Sequence, residues 1–159
     1  MRHTISALVE NKFGVLARIS TLFAARGFNI DSLAVGETED PDVSRMTIVV
    51  NGDDKILEQV EKQLNKLVDV IKVSDFKGMQ HLERDLALIK VKADKTNRSE
   101  IMQIVDVFRA KIIDVSTESI IIEITGDEEK ITALLAMLKP FGLKEMCRTG
   151  IIAMGRGGK

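Results

Sequence analysis

The sequence predicts an α+β protein built from two tandem ferredoxin-like βαββαβ units, each an antiparallel sheet with both helices on one face. Three observations carry this expectation: short segments with period-two apolar alternation, four longer segments with apolar stripes at helical spacing, and recurrence of the same element order in the two halves of 159 residues. Ile5, Ala7 and Val9 alternate with polar neighbours and predict the first strand. The first helix follows, with Val15, Leu16, Ile19, Leu22 and Phe23 on one stripe and Gly27 as its C-cap. A strand is expected from Asn29 to Glu37, an acidic turn at Asp40-Pro41-Asp42, and a strand from Ser44 to Val50. Asn51-Gly52-Asp53-Asp54 then caps a helix carrying Ile56, Val60, Leu64 and Leu67, and a strand near Val68 to Phe76 ends the unit.

The second half repeats the order. Ala87, Ile89 and Val91 alternate, and Asn97 with Glu100 reads as a capping box for a helix with Ile101, Ile104, Val105 and Phe108 on one side. Ile113 and Val115, then Ile120, Ile122 and Ile124, predict two strands. Asp127, Glu128 and Glu129 favour the start of a fourth helix, which Pro140 and Gly142 stop after Ile131, Leu134, Leu135 and Leu138. A last strand is expected from Lys144 to Ala153. The domain boundaries are therefore 1–77 and 84–159, with a linker at 78–83. A unit of this size buries only about 60% of its unfolded surface, so pairing within or between chains is expected. In the ferredoxin-like order the second strand is a sheet edge, and NIDSLAVGE carries no lysine or proline to repel a neighbouring strand.

Composition narrows the function. Hydrophobic residues make up 45%, and 23 basic against 24 acidic residues leave a net charge of -1, so no overall field favours nucleic acid or an anionic membrane. Aromatics are 4%, without Trp or Tyr, which removes the stacking platforms of single-strand binders. No stretch approaches the ~20 apolar residues of a membrane span, and MRHTISALVE runs into strand alternation without a signal pattern; a cytoplasmic protein is expected. The single cysteine, Cys147, reads as a small buried thiol. His3 and His81 have no Cys or His at metal-ligand spacing, and no nucleophile-base pattern is present. Gly155-Arg156-Gly157-Gly158-Lys159 lacks the helix that a phosphate-binding loop requires and reads as a mobile tail.

The segment from Asn11 to Leu33 is the candidate site. Gly14 lies where a helix begins, and there unpaired amides and the positive end of the macrodipole suit a small carboxylate. Asn29 and Asp31 offer oxygens to an ammonium group, Asp31 on charge logic alone. Lys12 and Arg26 can attract a carboxylate, although exposed basic side chains are usually only solvated. These properties suit a free amino acid. The plainer alternative, a helix start and core residues only, stays open on the residues themselves.

Across HTISALVENKFGVLARI, ARGFNIDSL, ERDLALIKV and RTGIIAMGRG, in this order and spacing, the chain resembles the regulatory small subunits of acetohydroxyacid (acetolactate) synthase, whose N-terminal half is an ACT domain. The resemblance implies a subunit without catalytic residues. It implies activation of a separate large catalytic subunit and feedback inhibition by a branched-chain amino acid. Thiamine diphosphate, FAD and magnesium are then expected on that partner, with no cofactor and no metal in this chain. It further implies a homodimer through ACT domains, with the effector held by Asn11, Gly14, Val15 and Leu16 of one chain and Asn29 and Ile30 of the other. The alternative is a stand-alone ACT-type amino-acid sensor controlling another protein.

Overall fold

In the computed structural model, which describes residues 1–157, strand β1 (Arg2–Glu10) buries Ile5, Ala7 and Val9 on one face. Its antiparallel register with β3 (Val43–Asn51) sets Ile5 opposite Ile48 and Ala7 opposite Met46, so both strands present apolar side chains to the same layer. Helices α1 (Val15–Arg26) and α2 (Asp54–Asn65) cover that layer with Val15, Ile19, Phe23, Leu57, Val60 and Leu64. Each fully buried apolar side chain of this size contributes roughly 1.5 to 3 kcal/mol. Strands β2 (Asn29–Glu37) and β4 (Val70–Asp75) complete the sheet in the order β2-β3-β1-β4, which leaves β2 at an edge. The caps follow local chemistry. Asp53 accepts the Ile56 amide at 3.0 Å, and Gly27, at φ 69, ends α1 in the left-handed conformation.

The second unit repeats the plan with β5 (His81–Lys92), α3 (Arg98–Val107), β6 (Lys111–Val115), β7 (Ser119–Gly126), α4 (Glu128–Leu138) and β8 (Leu143–Arg148). Its strand order is β6-β7-β5-β8. Ala87, Ile89, Val91, Ile120, Ile122 and Ile124 pack against Ile101, Val105, Ile131, Leu134 and Leu138. Asp127 caps α4 by accepting the Lys130 amide at 2.9 Å.

Three expectations are corrected. The last strand does not run unbroken from Lys144 to Ala153: β8 ends at Arg148, Gly150 turns the chain at φ 88, and β9 (Ile152–Gly155) pairs with β5. By compactness the described residues form two units, 1–82 with 151–157, and 83–150. Asn97 makes no cap with its side chain; its Oδ1 instead accepts the Asp94 amide at 2.8 Å, and Asp94 organises the turn. Cys147 is exposed, because β8 is an edge strand and it is the neighbouring Met146 that packs on the core. Ile113 and Val115 are half exposed on the edge strand β6 for the same reason. Of the tail, Gly155 belongs to β9 and the Arg156 amide donates to the Gln80 carbonyl at 2.9 Å; Gly158 and Lys159 lie outside the described residues. Among the described residues no helix is long and apolar enough to cross a membrane.

Candidate functional site

Gly14 is the N-cap of α1, at φ 85, and no side chain caps the helix. A residue with a Cβ is strained in this left-handed conformation, which glycine adopts freely. The Val15 amide makes a long 3.4 Å bond to the Lys12 carbonyl, and the Arg18 amide bonds Gly14 at 3.0 Å. Between them the Leu16 and Ala17 amides have no backbone acceptor among the described residues. The first turn contains no acidic residue. These two donors and the positive helix end form a small anion-receptive corner.

The sequence-predicted residues fall into two groups. Asn11 sits beside Gly14 and is braced within its own chain, its Nδ2 donating to Glu37 Oε1 at 3.2 Å and to the Pro41 carbonyl at 2.9 Å. The Val15 side chain is in the helix-side core and points away from solvent, whereas Leu16 and Phe13 are exposed on either side of the glycine. Asn29 and Ile30 open β2, with Asn29 opposite Asn51 and Asn51 in turn opposite Arg2. That is the other end of the sheet from Asn11, separated by about 26 Å along a nine-residue strand at ~3.3 Å per residue. One chain therefore does not bring the six residues together.

Charge logic fares differently at each position. Asp31 pairs with Arg2 at 3.5 Å, Lys12 with Glu10 at 2.9 Å, and Arg26 donates to Gln63 at 3.3 Å, so each already has a partner. The bond to Glu10, assisted by its charge, holds the Lys12 ammonium above the ordinary lysine value. Sequence reasoning missed Arg18. It lies one turn beyond Gly14, pairs with the largely buried Asp69, and its Nη1 is 3.7 Å from where a Cβ on residue 14 would stand. Its i+4 spacing from Gly14 is the signal that was available.

The edge strand itself is apolar. Leu33 and Val35 lie opposite Ile48 and Met46, on the helix side, yet remain 37% and 46% exposed because the helices do not extend over β2. They line the edge next to which a second strand would add. The corresponding turn of the second unit carries carboxylates. There Asp94 Oδ1 accepts the Thr96 amide at 2.8 Å, the Thr96 hydroxyl and the Asn97 amide, all ahead of α3, and the first turn of α3 itself contains Glu100. The Thr96 hydroxyl first, then these amides, holds the Asp94 carboxyl below the usual range. Among the described residues no cluster of three or more His, Cys, Asp or Glu is arranged to hold a metal ion.

Known proteins resemble this chain in both of its halves. Residues 5–72 match a profile described as an AHAS (acetohydroxyacid synthase) small subunit-like ACT domain, and residues 84–157 match one described as small subunit of acetolactate synthase. The acetolactate synthase small subunit of Mycolicibacterium smegmatis is 56% identical over 155 residues, covering 98% of this chain and 91% of its own. That of Aquifex aeolicus is 53% identical over 156 residues, covering 98% and 81%. The crystal structure of the small subunit from Thermotoga maritima superposes with a TM-score of 0.91 at 49% identity, covering 100% of this chain and 99% of that one.

Proposed function

The chain belongs to the family of acetolactate synthase small subunits, and from that premise we propose that it regulates a thiamine diphosphate-dependent synthase in the cytoplasm. It raises the activity of a separate catalytic subunit and confers feedback inhibition by a branched-chain amino acid. Thiamine diphosphate, FAD and magnesium belong to that catalytic subunit and supply its carbon–carbon bond chemistry.

One observation carries the effector site: its two halves lie at opposite ends of an edge strand that pairs on one side only. Asn11, bonded to Glu37, stands at the end of β2, and Asn29 at its start. When two copies pair antiparallel along β2, the start of one strand meets the end of the other, and the halves combine twice about the twofold axis. The effector carboxylate then takes the Leu16 and Ala17 amides, its ammonium the side-chain oxygen of the partner's Asn29, and its branched side chain lies against Leu16 and the partner's Ile30. Arg18 adds positive charge beside the carboxylate. Burial of a valine-sized side chain contributes roughly 1.5 to 3 kcal/mol and each charge-assisted hydrogen bond about 1.5 to 3, against association costs of several kcal/mol. Micromolar to millimolar dissociation constants follow, suited to tracking a metabolite pool.

Acetolactate formation by the isolated catalytic subunit, with and without this chain and with and without valine, tests the reading. Stimulation by the chain and its reversal by valine are expected. Absence of stimulation, with amino-acid binding retained, overturns it in favour of a stand-alone sensor.

A further inference from the structure

We propose that Ser32, outside the effector residues themselves, is the positioning residue through which occupancy of that site reaches residues 83–150; this rests on the regulatory reading above. Ser32 follows Ile30 on β2 immediately after an irregularity in the β2–β3 register at Asp31. Its Oγ accepts the backbone amide of Ile151 at 3.0 Å, across 119 residues of sequence. Ile151 is the first residue of the segment that returns to the first unit after the chain has left it at Leu82.

The returning segment is built in rather than draped. Ile151 and Ala153 are buried while Ile152 and Met154 are exposed, the alternation of a strand with one covered face. On the sheet face away from the helices, Val49 lies opposite both Ser32 and Thr4, and the Phe76 amide donates to the Thr4 carbonyl at 3.2 Å. Val49, Phe76, Ile151 and Ala153 are all buried, yet none belongs to the helix-side core. The Arg156 amide bonds Gln80 at 2.9 Å and closes the same segment against the outgoing chain.

The other end of the segment is fixed more firmly. Two residues before Ile151, the Thr149 hydroxyl donates to Asp85 Oδ1 at 3.1 Å. Arg148 donates to Asp85 Oδ2 through Nε at 2.8 Å and through Nη2, and also pairs with Glu128 at 2.8 Å. The Asp85 side chain is 1% exposed, so this charge is held by its partners rather than by water. Of the two attachments the neutral hydroxyl-amide bond is the weaker. A ligand that closes on Asn29 and Ile30 shifts the bulged start of β2, and the shift is passed to Ile151 through Ser32. From Ile151 only Gly150 intervenes before the Asp85 clamp. Coupling of this kind runs through contiguous hydrogen-bonded elements.

The test compares Ser32→Ala and Ser32→Thr with the unaltered full-length chain. Valine binding is measured by calorimetry, activity in the synthase reconstituted with its catalytic subunit, and exchange of the Ile151 amide by hydrogen exchange. Ser32→Ala is expected to bind valine within about twofold of the unaltered chain and to stimulate the synthase equally, with inhibition at saturating valine reduced by half or more, roughly. Its Ile151 amide exchanges roughly tenfold faster and no longer responds to valine. Ser32→Thr, which keeps the hydroxyl, restores inhibition and protection. Full inhibition in Ser32→Ala, an unchanged Ile151 amide, or lost valine binding in that variant each overturns the proposal. An unaltered chain that neither binds valine nor renders the synthase sensitive to it overturns the regulatory reading, and this inference with it.

Discussion

At the turn from β3 into α2, Gly52 precedes Asp53, which caps the helix through Ile56; at the turn from β7 into α4, Gly126 and Asp127 do the same through Lys130. Close approach requires the glycine at Gly52, whereas at Gly126 the crowding comes first from a flexible side chain. A Cβ on Gly52 would stand 2.8 Å from Ile56, and one on Gly126 2.5 Å from Lys130. The first strand-to-helix turns differ in charge. Neither α1 nor α3 has a side-chain cap, but the first turn of α1 has no acidic residue, whereas Asp94 binds the Thr96 and Asn97 amides ahead of α3 and Glu100 lies in its first turn. Two units of one fold thus share the turn that helix-on-sheet packing demands and differ in the charge around the other. The difference predicts that an anionic ligand is better received at the start of α1, where no carboxylate of the first turn opposes it.

The sharpest way to break the contrast is to give the first unit what the second already has. Gly14→Asp places a carboxylate beside Arg18 and the Leu16 and Ala17 amides, and effector affinity is expected to fall roughly thirtyfold, about 2 kcal/mol. Stimulation of the catalytic subunit should survive. Calorimetry of Gly14→Ala, which carries the backbone strain without the charge, separates the two causes; equal losses in both variants would remove the electrostatic account.

The shared turns predict a smaller effect, on stability. Gly52→Ala is expected to cost about 1 to 3 kcal/mol in thermal or denaturant unfolding, because Cβ and Cγ2 of Ile56 are branched and packed. Gly126→Ala should cost less, since the nearest atom is the flexible Cδ of Lys130. Asp94→Ala opens the second unit's turn and removes three hydrogen bonds at an exposed site, for an expected loss of about 1 kcal/mol. Equal stability of this variant and the unaltered chain would mean that Asp94 merely decorates the loop.

The smallest effect concerns equivalent positions on α2 and α4, eight residues past each cap. Leu135 packs against the core of the second unit, whereas the first unit has Glu61 there, with Oε1 buried and without a hydrogen-bond partner among the described residues. Burial first, then its hydrogen bond to Asp75 and the charges of Asp75 and Glu58, pushes the Glu61 carboxyl up to about 7. A carboxyl raised in the folded state binds its proton more tightly there than in the unfolded chain. Its contribution is therefore complete below the ordinary glutamate value near 4.5 and is lost as pH rises through about 7. Glu61→Gln should flatten unfolding stability between these pH values and raise it at pH 8 by no more than about 1 kcal/mol after solvent screening. An unchanged pH profile would assign the dependence elsewhere.

Much of this fold is legible in the chain because its cues are local. Val15, Ile19 and Phe23 face one way by helical spacing, and Asp53, Asp127 and Gly27 cap their helices with their own atoms. A local cue can also be ambiguous: Asn97 occupies the N-cap position of α3, but its side chain turns back to the Asp94 amide instead of capping the helix. Cys147 shows the other kind of failure. Strand alternation predicts which residues share a face, but a residue on an edge strand is buried only if some other element covers it. The candidate site was legible as residue types around Gly14 and Asn29; that they occupy opposite ends of one strand was not.

The amino-acid sequence alone determined the two βαββαβ repeats, the glycine-opened helix and the unprotected character of β2, since each depends on neighbours within a few residues. Tertiary structure decided the rest. It joined Arg18 to Asp69 across 51 residues and Ser32 to Ile151 across 119, returned the last strand to the first unit, and separated the two halves of the candidate site. The physical reason is that periodicity and capping are set by nearest neighbours along the chain, whereas pairing across a sheet is set by which distant segments exclude water together.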